Sequence, residues 1–179
     1  MNIFFLSMSV KRCARYHVDK HVIKMIIECC QLLCTAMWLL DPIAAGTIPF
    51  IYKPTHVNHP CAKWVRQHIH NYNYVARLGL QLCQEWRHRY QHEKRHGCED
   101  CLVYLYHHPP ASIPINDVLK TINNPKQLIL PLPQAMPLCY KSTRMSVHTT
   151  IKAYRRYYQS PQKEHLRQWK RREKPPWFH

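Results

Sequence analysis

A chain of 179 residues is long enough for one domain with an ordinary core and too short for two full ones. Lysine plus arginine number 26 against 10 aspartate plus glutamate, a net charge of +16, and 14 histidines can add to it in acid. So lopsided a balance opposes compaction and points to a polyanionic partner, nucleic acid first. Only three glycines and no Walker or dinucleotide fingerprint exclude a glycine-rich phosphate loop.

The chain opens on the apolar, β-prone residues Asn2 to Leu6, which suit a buried strand or an extended arm. In MNIFFLSMSVKRC the basic residues follow the apolar ones, unlike a secretory signal, and no apolar run reaches the roughly 18 residues that span a bilayer. No membrane partner is therefore expected. Nine cysteines, several of them in apolar helical runs (Cys29, Cys30, Cys34, Cys83), suit free thiols in a reducing compartment, the cytoplasm or nucleus or a particle packaged there.

After Lys11, Arg12 and Arg15, the stretch from Val18 to Trp38 repeats apolar residues at three and four, predicting a helix of about five turns. His21, Lys24, Glu28, Gln31 and Thr35 recur at the same spacing and form a polar stripe beside the apolar one. A polar stripe on such a helix faces solvent or a cleft, because a buried charge is costly unless paired. His21 and Glu28 lie about 10 Å apart along the axis, with Lys24 midway, suited to gripping one substrate between them. Asp41 and Pro42 close the helix.

From Pro42 to Pro60 the prolines predict a loop. A second helix follows from Pro60, with apolar positions from Cys61 to Tyr90 keeping the helical period for about eight turns. The junction KPTHVNHPCAKWVR gathers Lys53, Thr55, His56, Asn58, His59, Lys63 and Arg66 at a helix start, where free N–H groups favour an anion such as phosphate. The alternative is that Thr, Asn and His satisfy the loop backbone and cap the helix.

In HRYQHEKRHGCEDC, the residues His92, His96, Cys98 and Cys101 offer a tetrahedral zinc set; solvated histidines and free thiols are the competing reading. No cofactor is otherwise required. Cys29, Cys30 and Cys34 read as small core residues. Cys98 to His107 predicts a short helix, the Pro-rich span 109–137 an irregular path with a helical turn or two at Asn116 to Ile122, and Val147 to Tyr158 a last helix capped by Ser146. The basic tail interleaves rings and cations (Tyr154, Tyr157, Tyr158, Trp169 and Trp177 among Arg155, Arg156, Lys170 and Arg171), which suits a nucleic-acid groove, or else a tyrosine core with arginines turned to water.

The predicted fold is thus mainly α: a single-domain helical bundle on two long helices, with a Pro-rich irregular segment and a basic tail. Residues 1–160 would be the helical nucleic-acid-binding domain and 161–179 the tail.

The MNIF-like start, DKHVIKMIIECCQLLCTA, YKPTHVNHPCAKWVR, PQAMP, AYRRYY and the closing PPWF resemble small proteins of phages and large DNA viruses. Asp19, His21 and Glu28 further resemble the pattern of the phage pyrimidine-dimer DNA glycosylases of the endonuclease V type: a D-x-H near the start of a long helix and a catalytic Glu seven residues after the His. This likeness implies a small basic helical enzyme that displaces a damaged base from the stack, removes it and nicks the strand. Glu28 would be the catalytic carboxylate, with His21 and Lys24 positioning phosphate or sugar. DNA contacts would come from Lys20, Lys53, Thr55, His56, Asn58, His59, Lys63, Arg66, Gln134, Arg155, Arg156, Lys170 and Arg171. That family attacks with the α-amine of a Thr exposed on removal of the initiator Met, whereas this sequence reads Met1-Asn2. The amine would then belong to Met1 or Lys24, or Glu28 would use water. The other readings are a non-catalytic viral protein that binds or packages DNA or RNA, and a host-directed factor that binds an acidic protein or ribonucleoprotein.

Overall fold

A computed structural model describes residues 1–115, 128 and 130–179. The expected turns at Asn116 to Ile122 lie outside the described residues. Among those described there is no strand, and the fold is mainly α. The residues from Ile3 to Leu6 form an extended arm whose side chains are at most 5% exposed. With no sheet to join, this β-prone segment stays an arm and plugs the space between helices.

The basic run after it is helical, α1 (Val10–Tyr16), capped by Ser9, whose hydroxyl accepts from the Arg12 N–H. The long helix α2 spans Asp19–Leu40. It ends at Asp41, whose carboxylate in turn caps a short helix absent from the sequence reading, α3 (Pro42–Thr47), with proline in its first turn.

The expected eight-turn second helix is broken in two. A helix α4 (Pro60–Val65) stops, the chain becomes extended at His68, and α5 (Ile69–Tyr90) begins afresh. Periodicity carries straight through this break, because both pieces present an apolar face to the same core. The break shows only in hydrogen bonding: His68 Nδ1 accepts from the His70 N–H as a new cap, and Asn71 Nδ2 donates to the Trp64 carbonyl across the bend.

The centre of the fold is α2 packed on α5, with α1 and α6 (Glu99–His107) against α5. Gly79 lets the pieces approach, since a Cβ there would meet Leu102 Cδ2 at 2.9 Å and Cys29 Cβ at 3.2 Å. By length and composition α2 could cross a membrane, contrary to the sequence expectation, but 67% of its most apolar window is buried inside the fold. It is the core helix. The last helix, α7 (Val147–Tyr158), has the expected Ser146 cap, here a full capping box with Thr149.

One buried polar cluster ties the ends of these elements together. The Arg89 guanidinium, 2% exposed, donates to Asp19 at 3.0 Å, to Glu85 at 3.3 Å, and to the carbonyls of His17 and Arg15. Arg172 closes on Glu85 from the tail, and the Lys170 N–H donates to both Asp19 oxygens. Burial alone would raise the Glu85 carboxyl, yet the hydrogen bonds and charges of Arg172 and Arg89 hold it below its ordinary value. Such a network fixes geometry, since every member is satisfied by another.

Candidate active site

Glu28 lies one turn beyond Lys24 on α2 and is 8% exposed. Three nitrogens surround its carboxylate. The Asn2 backbone N–H donates to Oε2 at 2.6 Å, the Met1 amine lies 3.9 Å from the same oxygen, and Lys24 Nζ stands 3.6 Å from Oε1. A carboxylate this buried must be matched by donors or charge, and the arm supplies both.

The arm is itself fastened. Asn2 Nδ2 donates to the Ala135 carbonyl at 2.7 Å, Asn2 Oδ1 accepts from the Ile3 N–H, and the Tyr154 hydroxyl lies 3.0 Å from Asn2 Oδ1. That hydroxyl also accepts from the Ala135 N–H. The PQAMP segment and the start of the chain are thereby brought to one place by a tyrosine of α7.

His21 is set deeper than its place on the polar stripe implies. Its ring stacks on Phe4 with centroids 4.5 Å apart, and Nδ1 lies 2.6 Å from the Tyr158 hydroxyl. Burial, reinforced by His17, Lys163 and Lys24, pushes it down to about 2. It is therefore a neutral ring and cannot hold phosphate by charge; what it offers is a fixed, uncharged wall of the site. Lys24, by contrast, has a side chain 70% exposed.

Lys163 completes the constellation and was missed by sequence reasoning, because nothing local marks a lysine 135 positions from Glu28. Its Nζ lies over the rings of Phe4 and Tyr157, at 5.6 and 5.0 Å. Burial first, and then the nearby Lys24 charge, lower its pKa, while the Glu28 carboxylate works the other way. Asn2 was likewise missed as a site residue; the MNIF-like start is the one signal that could have pointed to it.

The Thr55–His59 loop is held on α2 two turns beyond Glu28, where Thr35 Oγ1 both donates to the Thr55 carbonyl and accepts from its N–H, each at 3.1 Å. His59 stands within the field of Glu28 and of the Met1 amine; its pKa is lowered by burial first and by that amine next. The loop's polar groups are largely spent on the loop itself. His59 Nδ1 accepts from the Cys61 N–H as the α4 cap, Thr55 Oγ1 meets His56 Nδ1 at 2.7 Å, and Arg66 donates to the Val57 carbonyl at 2.7 Å. Lys53, His56, Asn58 and Lys63 are exposed.

The other predicted contacts divide in the same way. Gln134 is occupied in both directions by the Ser142 backbone, and Arg155 by the Leu6 carbonyl, with its guanidinium over Trp177. Lys20, Arg156, Lys170 and Arg171 are exposed. The aromatic rings of the tail are not free to stack on bases: Tyr154 and Tyr158 are in the core, Trp169 is 8% exposed against Phe178, and Trp177 packs on Tyr16 and Tyr158. Two clefts border this region and share Ser142. One, of about 660 Å³, is lined by Lys63, Gln67, Gln134 and Lys141; the other, of about 470 Å³, by Lys152, Arg155, Arg156 and Gln159.

The predicted His92–His96–Cys98–Cys101 set does not assemble. His92 stacks on Trp86 at 4.1 Å, and His96 Nδ1 accepts from the Cys98 N–H, so both rings are turned to other work. The two thiols face α2 instead and meet Cys30 and Cys34, so these are more than the small core residues that their apolar setting in the sequence predicts.

A family model described as pyrimidine dimer DNA glycosylase matches residues 1–97, the span that holds the arm, α2 with Glu28, the Thr55–His59 loop and α5. Neither a curated protein nor a solved structure matches the chain. Since the matched span is more than half of the 179 residues, the chain belongs to the pyrimidine dimer DNA glycosylase family.

Proposed function

We propose that the protein is a DNA glycosylase that excises a damaged pyrimidine with Glu28 as its catalytic carboxylate. The observation that carries this is the buried Glu28 carboxylate, held by the Asn2 N–H with the amines of Met1 and Lys24 within 4 Å. Breaking the bond between a base and C1′ develops positive charge on the sugar. A fixed carboxylate in a partly desolvated site stabilises that charge more than water does.

An adjacent amine supplies the second half of the chemistry. As the bond from C1′ to the base breaks, the base keeps the bonding electrons and takes up a proton; an unprotonated amine adds to C1′, ring opening yields an imine, and loss of a C2′ proton from that imine expels the 3′ phosphate. DNA would approach over the exposed lysines of α2 and the two clefts that meet at Ser142, with Lys63, Lys141, Lys152 and Arg156 on the phosphates. The target base would be displaced from the stack to reach Glu28.

The test uses a labelled duplex with a single thymine dimer. The full chain should cut the glycosidic bond of one of the joined thymines, read as strand breakage at the base-free sugar, and borohydride should trap a covalent complex whose digest maps the linkage to the arm or to Lys24. Glu28→Gln should bind the same duplex and lose excision. Equal excision by that variant would overturn the assignment of Glu28.

A further inference from the structure

We propose that Cys30, Cys34, Cys98 and Cys101 form a structural zinc site that clasps α2 to α6. The Sγ atoms of Cys30, Cys34 and Cys101 all lie within 4.8 Å of one another, and all three residues are buried. The Cys34 and Cys101 sulfurs are 3.7 Å apart. A tetrahedral zinc with Zn–S bonds of about 2.3 Å requires its sulfurs to be about 3.8 Å apart, so this edge already has the length that the ion needs.

Cys98 is the fourth ligand. Its thiol lies outside the 4.8 Å group of the other three, 3.4 Å from the Tyr52 hydroxyl, and interacts with Cys30. Turning it from Tyr52 toward the other three completes the tetrahedron, while Tyr52 remains as a donor to the coordinated sulfur, the outer-shell contact that orients metal ligands.

The backbone is arranged for this. Cys30 and Cys34 are one turn apart on one face of α2, and Cys98 and Cys101 occupy the start of α6, giving C-x3-C and C-x2-C pairs. The turn before Cys98 is fixed by the His96 imidazole, which accepts its N–H. Among the described residues the other buried thiols, Cys13, Cys29, Cys61 and Cys83, gather into no such group. Four soft ligands without a carboxylate or imidazole select zinc or iron, and the close sulfur spacing leaves room for one ion, not for a cluster. On binding, four thiols release four protons and leave a doubly negative centre in a chain of net charge +16. The site joins α2, inside the family-matched span of residues 1–97, to α6, which follows that span.

Metal analysis of the full chain, purified under reducing conditions, should find one zinc per chain, released by a mercurial that modifies thiols. Cobalt added to zinc-free protein should give the intense visible bands of a tetrahedral thiolate complex, which zinc then abolishes. Cys34→Ser and Cys101→Ser should lose the zinc, and Cys139→Ser, at an exposed thiol outside the group, should keep it. The cobalt spectrum needs no variant, so a serine variant that fails to fold does not leave the matter open. Protein without zinc that gives no cobalt spectrum would overturn the proposal, as would iron in place of zinc or a Cys34–Cys101 disulfide. None of these readouts involves DNA, so they stand or fall apart from the glycosylase reading.

Discussion

The backbone N–H of Asn2 donates to Oε2 of Glu28 at 2.6 Å, joining the start of the chain to the third turn of its longest apolar helix. The Asn2 side chain hydrogen-bonds elsewhere, to the Ala135 carbonyl, the Ile3 N–H and the Tyr154 hydroxyl. It holds the backbone in position through Ala135 and Tyr154. Asn2→Ala should therefore keep the hydrogen bond donor but loosen the arm, costing about 1–2 kcal/mol through the lost buried hydrogen bonds. Excision rate and urea midpoint, measured together, should both fall; an unchanged rate would show that the arm needs no such anchor.

Glu28→Gln has the opposite signature. It removes the charge from a site with amines on both oxygens, so glycosidic cleavage should drop on the order of 10²- to 10⁴-fold while affinity for the dimer duplex is kept. Single-turnover excision and a binding isotherm on the same oligonucleotide distinguish the two effects.

Stability should depend on pH through two buried histidines. Burial holds His17 down to about 4 and His21 to about 2, against an ordinary 6.5. His17 Nδ1 bonds the Cys13 carbonyl at 2.7 Å, and its Nε2 is buried without a partner, so the folded ring resists a second proton. The unfolded rings take up protons below 6.5 and the folded ones do not. Stability is then complete above pH 6.5 and is lost as pH falls toward 4, with a slope approaching about 2.7 kcal/mol per pH unit for the pair. Urea midpoints at pH 7, 6, 5 and 4.5 would trace it, and a flat profile would refute it.

Asp19 belongs to the D-x-H pattern that resembles the glycosylases, yet its carboxylate is engaged by Arg89 and the Lys170 N–H. Arg89→Ala should remove the buried guanidinium that Asp19 and Glu85 share, leaving Glu85 to Arg172 and Asp19 to the Lys170 N–H, and cost about 3–5 kcal/mol. Asp19→Asn should lower the unfolding temperature while the excision rate of the folded fraction is retained. A selective loss of rate in Asp19→Asn would instead place it in the chemistry.

Gly79→Ala tests the packing of α5 on its neighbours. The added methyl meets Leu102 Cδ2 at 2.9 Å, which can move, and Cys29 Cβ at 3.2 Å, which is carried by the α2 backbone. Destabilisation of about 1–3 kcal/mol is expected from overpacking, read as a lower denaturation midpoint with an unchanged m-value.

The order of residues by itself determined the class of fold, the long helix with Glu28, the Ser146 cap and the excess of positive charge. Each is local: a period of 3.6, a capping side chain or a sum of charges needs no knowledge of distant neighbours. It also carried the family pattern in Asp19, His21 and Glu28. The break at His68 was hidden, because two helices facing one core keep a common apolar rhythm. So was the sorting of polar residues into free and committed ones. Arg66, Gln134 and Arg155 spend donors on backbone carbonyls that only the folded chain brings near, while His21 loses its charge to burial. Tertiary structure alone decided what sits beside Glu28 and beside Cys101. Asn2, Lys163 and Cys34 reach those places from 26, 135 and 67 residues away, distances across which no pattern of neighbouring residues reports contact.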